Sequence, residues 1–430
     1  LPQRNQVSEP LVRVNPVDSR NLVAAWIQDG TGFSPGPTDT LVAYSRDGGT
    51  KWKRVQVPGL TRCRGGSAIT AFDPWVSFGP DGTAYWSSAV VFTTAAGPTW
   101  GEAISYSRNG GATWANASIV TIARPGTYID SPTITADPTR PGYAYAIWDS
   151  GDLSGTIRVP FLSRTTNGGR TWSPARTPFV LPGKQQSFAD KILVLTDGTL
   201  LTVFGATRPQ PQFSTTHTFV GGTTVMVSRS QDAGATWTRP ALVSRIPSNP
   251  SYDPNTGRGD GFSITPTAAA AGPRTSVYIA WQRTYSARSS VIVLMASGDA
   301  GLTWQSHHVI AEAAQAFQPA VAVQHDGTLG VLFYDYRNNK PGGTSAITDV
   351  WFRRSDNGGV TWSEEHLGGP FAINDAPRAV VGDYQGLAAL PSSFAAVFAM
   401  AKPEAVGAPT DIFFARIRGD KEEAPRKARD

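Results

Sequence analysis

Cysteine is almost absent from this 430-residue chain. Cys63 stands alone, so no internal disulfide can form and no cysteine-built zinc site exists. Histidine is nearly as scarce, with five residues. His307-His308 fall where an outer strand is expected, which leaves His217 as the main raw material for imidazole chemistry. No apolar run approaches the length of a membrane span, and no useful stretch carries the period of a helix. Charged residues make up only 17% of the chain. The formal charge of +5 comes without a basic run outside the C-terminal tail, so the footprint of a nucleic-acid-binding protein is missing. Residue 1 is not Met, and Leu1-Pro2-Gln3-Arg4 reads as a mature terminus left after signal removal, so export is expected.

What the chain has in plenty is turns and short strands. Glycine (44) and proline (33) accompany an apolar content of 40%, the composition of many short strands packed around a large core. An eight-residue stretch ending in tryptophan occurs six times: Ser45 to Trp52, Ser107 to Trp114, Thr165 to Trp172, Ser230 to Trp237, Ser297 to Trp304 and Ser355 to Trp362. The pattern is S/T-x-D/N-x-G-x-T-W, with Lys51 in place of the Thr in the first copy. Its third residue recurs after 62, 58, 65, 67 and 58 residues, the signature of an array of supersecondary units. Asp or Asn can bond backbone within the turn, Gly supplies a positive φ, and Thr-Trp resumes an extended strand.

Between these stretches runs a second repeat, a hairpin of two apolar segments. It occurs seven times: Glu9 to Trp26, Asp73 to Trp86, Ser131 to Trp148, Asp190 to Phe204, Phe262 to Trp281, Gln318 to Tyr334 and Tyr384 to Phe398. Asp-Gly-Thr in several of its turns is a strong hairpin signal. The seventh hairpin leads to a third strand, Asp411 to Ile417, and then to a charged tail. An open array leaves strand edges exposed, so residues 1–8 are expected to supply the outer strand of the last unit and close a ring. The expectation is an all-β, single-domain, seven-bladed β-propeller of four-stranded blades over residues 1–418, with six blades as the alternative and a tail at 419–430. The repeated tryptophans are expected to be buried as staples.

The repeated stretch resembles the Asp box of the sialidase-like (BNR) superfamily. That resemblance implies a propeller in which these turns lie on the face away from the active site. Inner strands then begin at the opposite mouth, at Glu9, Asp73, Asp130, Asp190, Asp260, Gln318 and Asp383, and six of these seven are acidic. Carboxylates so placed raise one another's pKa or share a cation. Asp73, Asp130, Asp190 and Asp383, with Tyr336, are the catalytic candidates. Glu9, Trp148, Arg283, Tyr285, Asp335, Arg337 and Tyr384 are the substrate-binding candidates, because aromatic faces stack on sugars and guanidinium forks hold carboxylates. Asp149 and Asp152 offer two ligands for calcium; no other cofactor is expected.

A sialidase opens its first inner strand with Arg-Ile-Pro. Here Pro10 matches, but Ser8 stands at the Arg position, and the segment Gln28 to Asp39 lacks the family's second Arg. Activity on sialic acid is therefore not expected. Three function classes follow: a secreted glycoside hydrolase using two mouth carboxylates, a uronate polysaccharide lyase using Tyr336 with Arg337 or Tyr285 with Arg283, and a non-catalytic propeller that binds glycan or protein. The hydrolase is the leading expectation. The partner is a glycan or polysaccharide, acidic in keeping with the basic balance, with no nucleic acid and no membrane; the chain is expected to be a monomer.

Overall fold

A computed structural model describes the chain apart from residues 1–5, 29–37, 96, 210–222, 247–252, 258–264, 272–275, 287–288, 307, 312–314, 341, 377–380, 403–408 and 420–430. Its strands form seven antiparallel sheets, each built in chain order from one repeat, and the sheets are the blades of a seven-bladed propeller. The inner strands are Val7–Asn15, Thr70–Phe78, Thr127–Ala136, Gln186–Val194, Thr267–Ala271, Phe317–Val323 and Gly386–Ala389. Among the described residues no helix is long and apolar enough to cross a membrane.

Five blades have four strands, and blades 3 and 7 have three. In blade 3 the expected outer strand shrinks to a single bridge between Leu162 and Arg176. In blade 7 the closing strand expected from residues 1–8 is not formed by its described part. Val7 and Ser8 already belong to the inner strand of blade 1, where they pair with Gln28 and Ile27. Residues 1–5 lie outside the described residues. Closure is made instead by packing, by a backbone bond from the Glu9 amide to the Val381 carbonyl (3.3 Å) and by one side chain. Val12, Leu22, Ala24 and Trp26 of blade 1 share a core with Ala388, Leu390, Ala395 and Val397 of blade 7. The Thr410 hydroxyl accepts from the Val7 amide and donates to the Val7 carbonyl, both at 2.8 Å.

The six repeated turns share one bonding scheme. In the first, the Ser45 hydroxyl donates to Asp47 Oδ1 (2.8 Å) and accepts from the Gly49 amide (2.9 Å), while Asp47 Oδ1 accepts from the Lys51 amide (2.8 Å). Each turn lays the glycine at its fifth position on the blade before it. A Cβ there would meet Phe414 at Gly49, Val23 at Gly111, Tyr106 at Gly169, Leu162 at Gly234, Leu201 at Gly301 and Leu294 at Gly359. These turns are blade-to-blade staples. Trp114 is buried as expected, whereas Trp52, Trp172, Trp237, Trp304 and Trp362 are half-buried, because each ring lies at the rim of the joint.

Five inner strands begin with a bulge that holds one residue at positive φ: Glu9, Asp73, Ser131, Ala189 and Gln318, at 50 to 57°. Four of these five precede a proline. Pro lacks the amide a ladder needs, and a bulge leaves one residue unpaired, so the two fit together. The bulge sets the true register of the mouth. Glu9, Asp73 and Gln318 occupy equivalent positions, but their counterparts in blades 3 and 4 are Ser131 and Ala189. Asp130 precedes the bulge residue and Asp190 follows it, and this one-residue offset turns them to different neighbours.

Candidate functional site

The mouth gathers carboxyls from four blades around a proton-sharing pair. Glu9, carried on the bulge of blade 1, is buried and hydrogen-bonded to Asp73 of blade 2. Burial pushes the Glu9 carboxyl well above its ordinary value, and Asp73, Asp383 and Asp130 push it further. Asp73 is half-buried. Burial and the charge of Asp130 lift it to about 7, against the hydrogen bond with Glu9 and the Ser131 amide, which donates to Asp73 Oδ2 at 3.1 Å. Tyr384 closes this corner. Its hydroxyl donates to the Pro74 carbonyl (3.0 Å), its ring meets Trp75 edge-on at 5.3 Å, and burial with Glu9, Asp73 and Asp383 holds the phenol well above its usual range.

Asp130 faces another way. Its Oδ2 pairs with Arg158 Nη2 at 2.9 Å, and the same nitrogen reaches Asp149 Oδ2 at 3.3 Å. Burial opposes the charge on Arg158, but Asp149 and Asp130 outweigh it and hold the guanidinium above its ordinary value. Asp149, fully buried, also accepts from the Ser187 hydroxyl at 2.5 Å. Asp190 lies beside this pair, fully buried, with neither oxygen in a hydrogen bond of ordinary geometry. Burial first, then Asp149, raises it well above a free aspartate. Glu102 of blade 2 is a second such group: fully buried, without a hydrogen-bond partner among the described residues, and pushed up by burial and by Asp73.

Glu9, Asp73, Asp130, Asp383 and Tyr384 are thus brought together, with Asp190 one step removed through Asp149. Asp260 lies outside the described residues. Arg283 and Tyr285 occupy the mouth end of the blade 5 strand Ser276–Ser286, the guanidinium 5.2 Å from the ring centre and the tyrosine exposed. Other candidates are in the wrong place. Trp148 is fully buried and stacked on Phe161, because its strand runs on to Asp152 and turns the indole into the joint between blades. Tyr336 is buried against Phe317 in the core of blades 6 and 7. Asp335 is fully buried and paired with Arg337 (2.7 Å), which lies 3.8 Å from the centre of Trp351 and also pairs with Glu364. That trio braces the flank of blade 6, since Glu364 belongs to its outer strand. Asp152 caps its own loop, accepting from the Thr156 (2.7 Å) and Ile157 (2.9 Å) amides, and it does not join Asp149. Among the described residues no group of three or more His, Cys, Asp or Glu is arranged to hold a metal ion.

Arg13, Trp75, Arg158, Ser187, Lys191 and Glu102 belong to this neighbourhood and were not among the sequence candidates. Arg13 and Lys191 carry a readable signal, each a single cation in an otherwise mostly apolar inner strand. Arg158 carries none.

The family model described as the BNR repeat-like domain matches residues 142–399, more than half of the chain. The chain belongs to this family. It is a BNR-repeat propeller. No curated protein sequence matches it. Among solved structures it is similar to a protein of unknown function from Dyadobacter fermentans (TM-score 0.52, 15% identity, 81% of this chain and 96% of that one). It is also similar to the α-L-arabinofuranosidase of Fusarium graminearum bound to an iminosugar inhibitor (TM-score 0.51, 15% identity, 96% and 93%). A Hadza microbial sialidase aligns with TM-score 0.49 and 14% identity over 96% of this chain, which spans 66% of that protein's length. What the Dyadobacter protein and the arabinofuranosidase share with the BNR propeller described above is the fold.

Proposed function

We propose that this BNR propeller is a glycoside hydrolase whose active site is the carboxyl cluster at the mouth. The observation that carries the reading is the contrast between Asp73 and Asp130. Asp73 is lifted to about 7, so near neutral pH it can protonate a leaving-group oxygen. Asp130, ion-paired to Arg158, is suited to act as base or nucleophile. A carboxyl raised toward its neutral form beside a second one held in an ion pair is an arrangement that suits the acid and the base or nucleophile of glycosidic cleavage. Glu9 shares its proton with Asp73 and can restore it after transfer. Similarity to an arabinofuranosidase supports a carbohydrate substrate and makes arabinofuranosides worth testing.

The lyase reading loses Tyr336 and Arg337, which sit in a core and on a flank, and keeps Tyr285 with Arg283 at the mouth end of blade 5. Tyr384 is a poor base, because the surrounding carboxyls oppose its ionisation. The test is a screen of the purified protein and its Asp73→Asn variant against aryl glycosides, arabinofuranosides and sialosides included, and against acidic polysaccharides. New reducing ends that disappear in the variant support the proposal. Unsaturated uronate absorbance would establish a lyase instead, and the absence of both signals would move the assignment to a binding propeller.

A further inference from the structure

Below the carboxyls the channel holds two cations with no ion pair among the described residues. Arg13 of blade 1 and Lys191 of blade 4 both lie over Trp75 of blade 2, with the guanidinium carbon 5.3 Å and the ammonium nitrogen 5.6 Å from its ring centre. Arg13 Nη1 donates to the Val12 carbonyl (2.8 Å) and Lys191 Nζ to the Pro266 carbonyl (3.0 Å). A guanidinium has five donors and an ammonium three, so most of theirs remain unused. Both side chains are only half-buried, which leaves them within reach from the channel.

Two like charges converging on one ring repel each other, and burial adds to the cost. Burial lowers Arg13 to about 10 and Lys191 to about 8, with Arg13 itself among the groups that depress Lys191. The nearby acids relieve this only from a distance. Asp190, Asp149 and Asp383 act on Lys191, but Asp190 is held toward its neutral form and Asp149 is occupied by Arg158 and Ser187. An incoming anion is the group that would satisfy both cations at once.

We infer that Arg13 and Lys191, above the Trp75 floor, form a site for an anionic substituent, carboxylate or sulfate, on the sugar that the mouth receives. Trp75 lies two residues beyond Asp73 on one strand, across the bulge that Asp73 occupies. Tyr384 ties that step to the carboxyl pair: its ring is edge-on to Trp75, its hydroxyl donates to the carbonyl of the intervening Pro74, and it lies against Glu9. A sugar ring held at Asp73 therefore presents a substituent to the two cations over the buried Trp75 ring. The assignment to a sugar rests on the hydrolase reading; the anion site itself stands without it.

The test is calorimetric titration of the full chain with glucuronate, with sulfate and with glucose as the neutral control, at pH 6.5. Saturable binding of glucuronate and none of glucose is expected. Lys191→Met and Arg13→Gln should each weaken it about tenfold or more, the size of one lost charge-assisted bond, and Lys191→Arg should restore it. Should either neutral variant fail to fold, the wild type supplies the check. Binding is lost as pH rises past about 8, where Lys191 gives up its proton among Asp190, Asp149, Asp383 and Arg13. No saturable binding, or binding unchanged in both neutral variants, overturns the site; sulfate binding without glucuronate binding overturns its assignment to a sugar. Anion binding without turnover would leave the site standing and sink the hydrolase, and turnover of neutral glycans without anion binding would do the reverse.

Discussion

At the scale of single residues the decisive group is Asp73. Its folded-state value of about 7 lies above the roughly 3.9 of a free aspartate, so the fold favours its protonated form. That stabilisation is fully present below about pH 4 and is lost as pH rises through about 7. Glu9, Asp190 and Glu102 are shifted in the same direction. Urea melts should therefore show stability falling between pH 4 and pH 7.5, and Asp73→Asn should fall less while melting at or above the wild type at the higher pH. In the hydrolase reading kcat/KM declines above about pH 7 as Asp73 loses its proton, and the variant loses about 10²- to 10⁴-fold. The meeting of Glu9, Asp73, Asp130, Asp383 and Tyr384 was legible in the sequence, because a repeat of fixed phase brings equivalent positions to one end of a ring. The misplacement of Trp148 and Tyr336 has a local cause: strands run further toward the mouth than the hairpin pattern suggests, and a residue still in a strand or just beyond it faces the neighbouring blade.

At the scale of elements, the repeated turn was readable because its chemistry is local. A hydroxyl, a carboxyl or amide and two positive-φ positions within eight residues close the same bonds wherever they occur. Trp114, buried in the joint between blades, is the member whose loss should cost most. Trp114→Ala is expected to cost about 3–5 kcal/mol, the half-buried Trp52 less, both read from denaturant midpoints. Ala300 and Ala233 hold φ values of 60° and 57° where four other copies have glycine. The left-handed conformation costs an alanine about 1–2 kcal/mol, and glycine's extra chain entropy returns about 0.5–1 of that. Ala300→Gly should accordingly raise stability by up to about 1 kcal/mol, visible as a higher urea midpoint. The inner-strand register was less legible, since a bulge adds a residue without changing the apolar pattern on either side. The dipeptides Glu9-Pro10, Asp73-Pro74, Ser131-Pro132 and Gln318-Pro319 mark it in the sequence.

At the scale of the whole molecule, blade number follows from counting hairpins, but closure depends on contacts between chain ends that no repeat encodes. Thr410 makes that contact, bonding both backbone groups of Val7 across 403 residues of sequence. Around it, Gly49 packs on Phe414, and Trp52 meets the same ring edge-on at 5.2 Å, so the first repeated turn joins blade 1 to blade 7 as each later turn joins its own pair. Packing of this kind is shared by every joint, and a like clasp stands between blades 1 and 2, where the Thr70 hydroxyl accepts from the Thr38 amide (3.3 Å) and donates to the Thr38 carbonyl (3.0 Å); the Thr410 clasp is the one that ties the two ends of the chain. Thr410→Val keeps the shape and removes both bonds, leaving a buried amide and carbonyl unsatisfied at a cost of about 1–3 kcal/mol for each, whereas Thr410→Ser keeps the hydroxyl. If the clasp holds the ring shut, hydrogen exchange in the valine variant should rise first at Val7–Asn15 and Thr410–Arg418, ahead of blades 3 and 4, with serine near wild type. Uniform acceleration around the ring would assign closure to the apolar joint alone, and unchanged exchange would mean that the clasp contributes nothing to it.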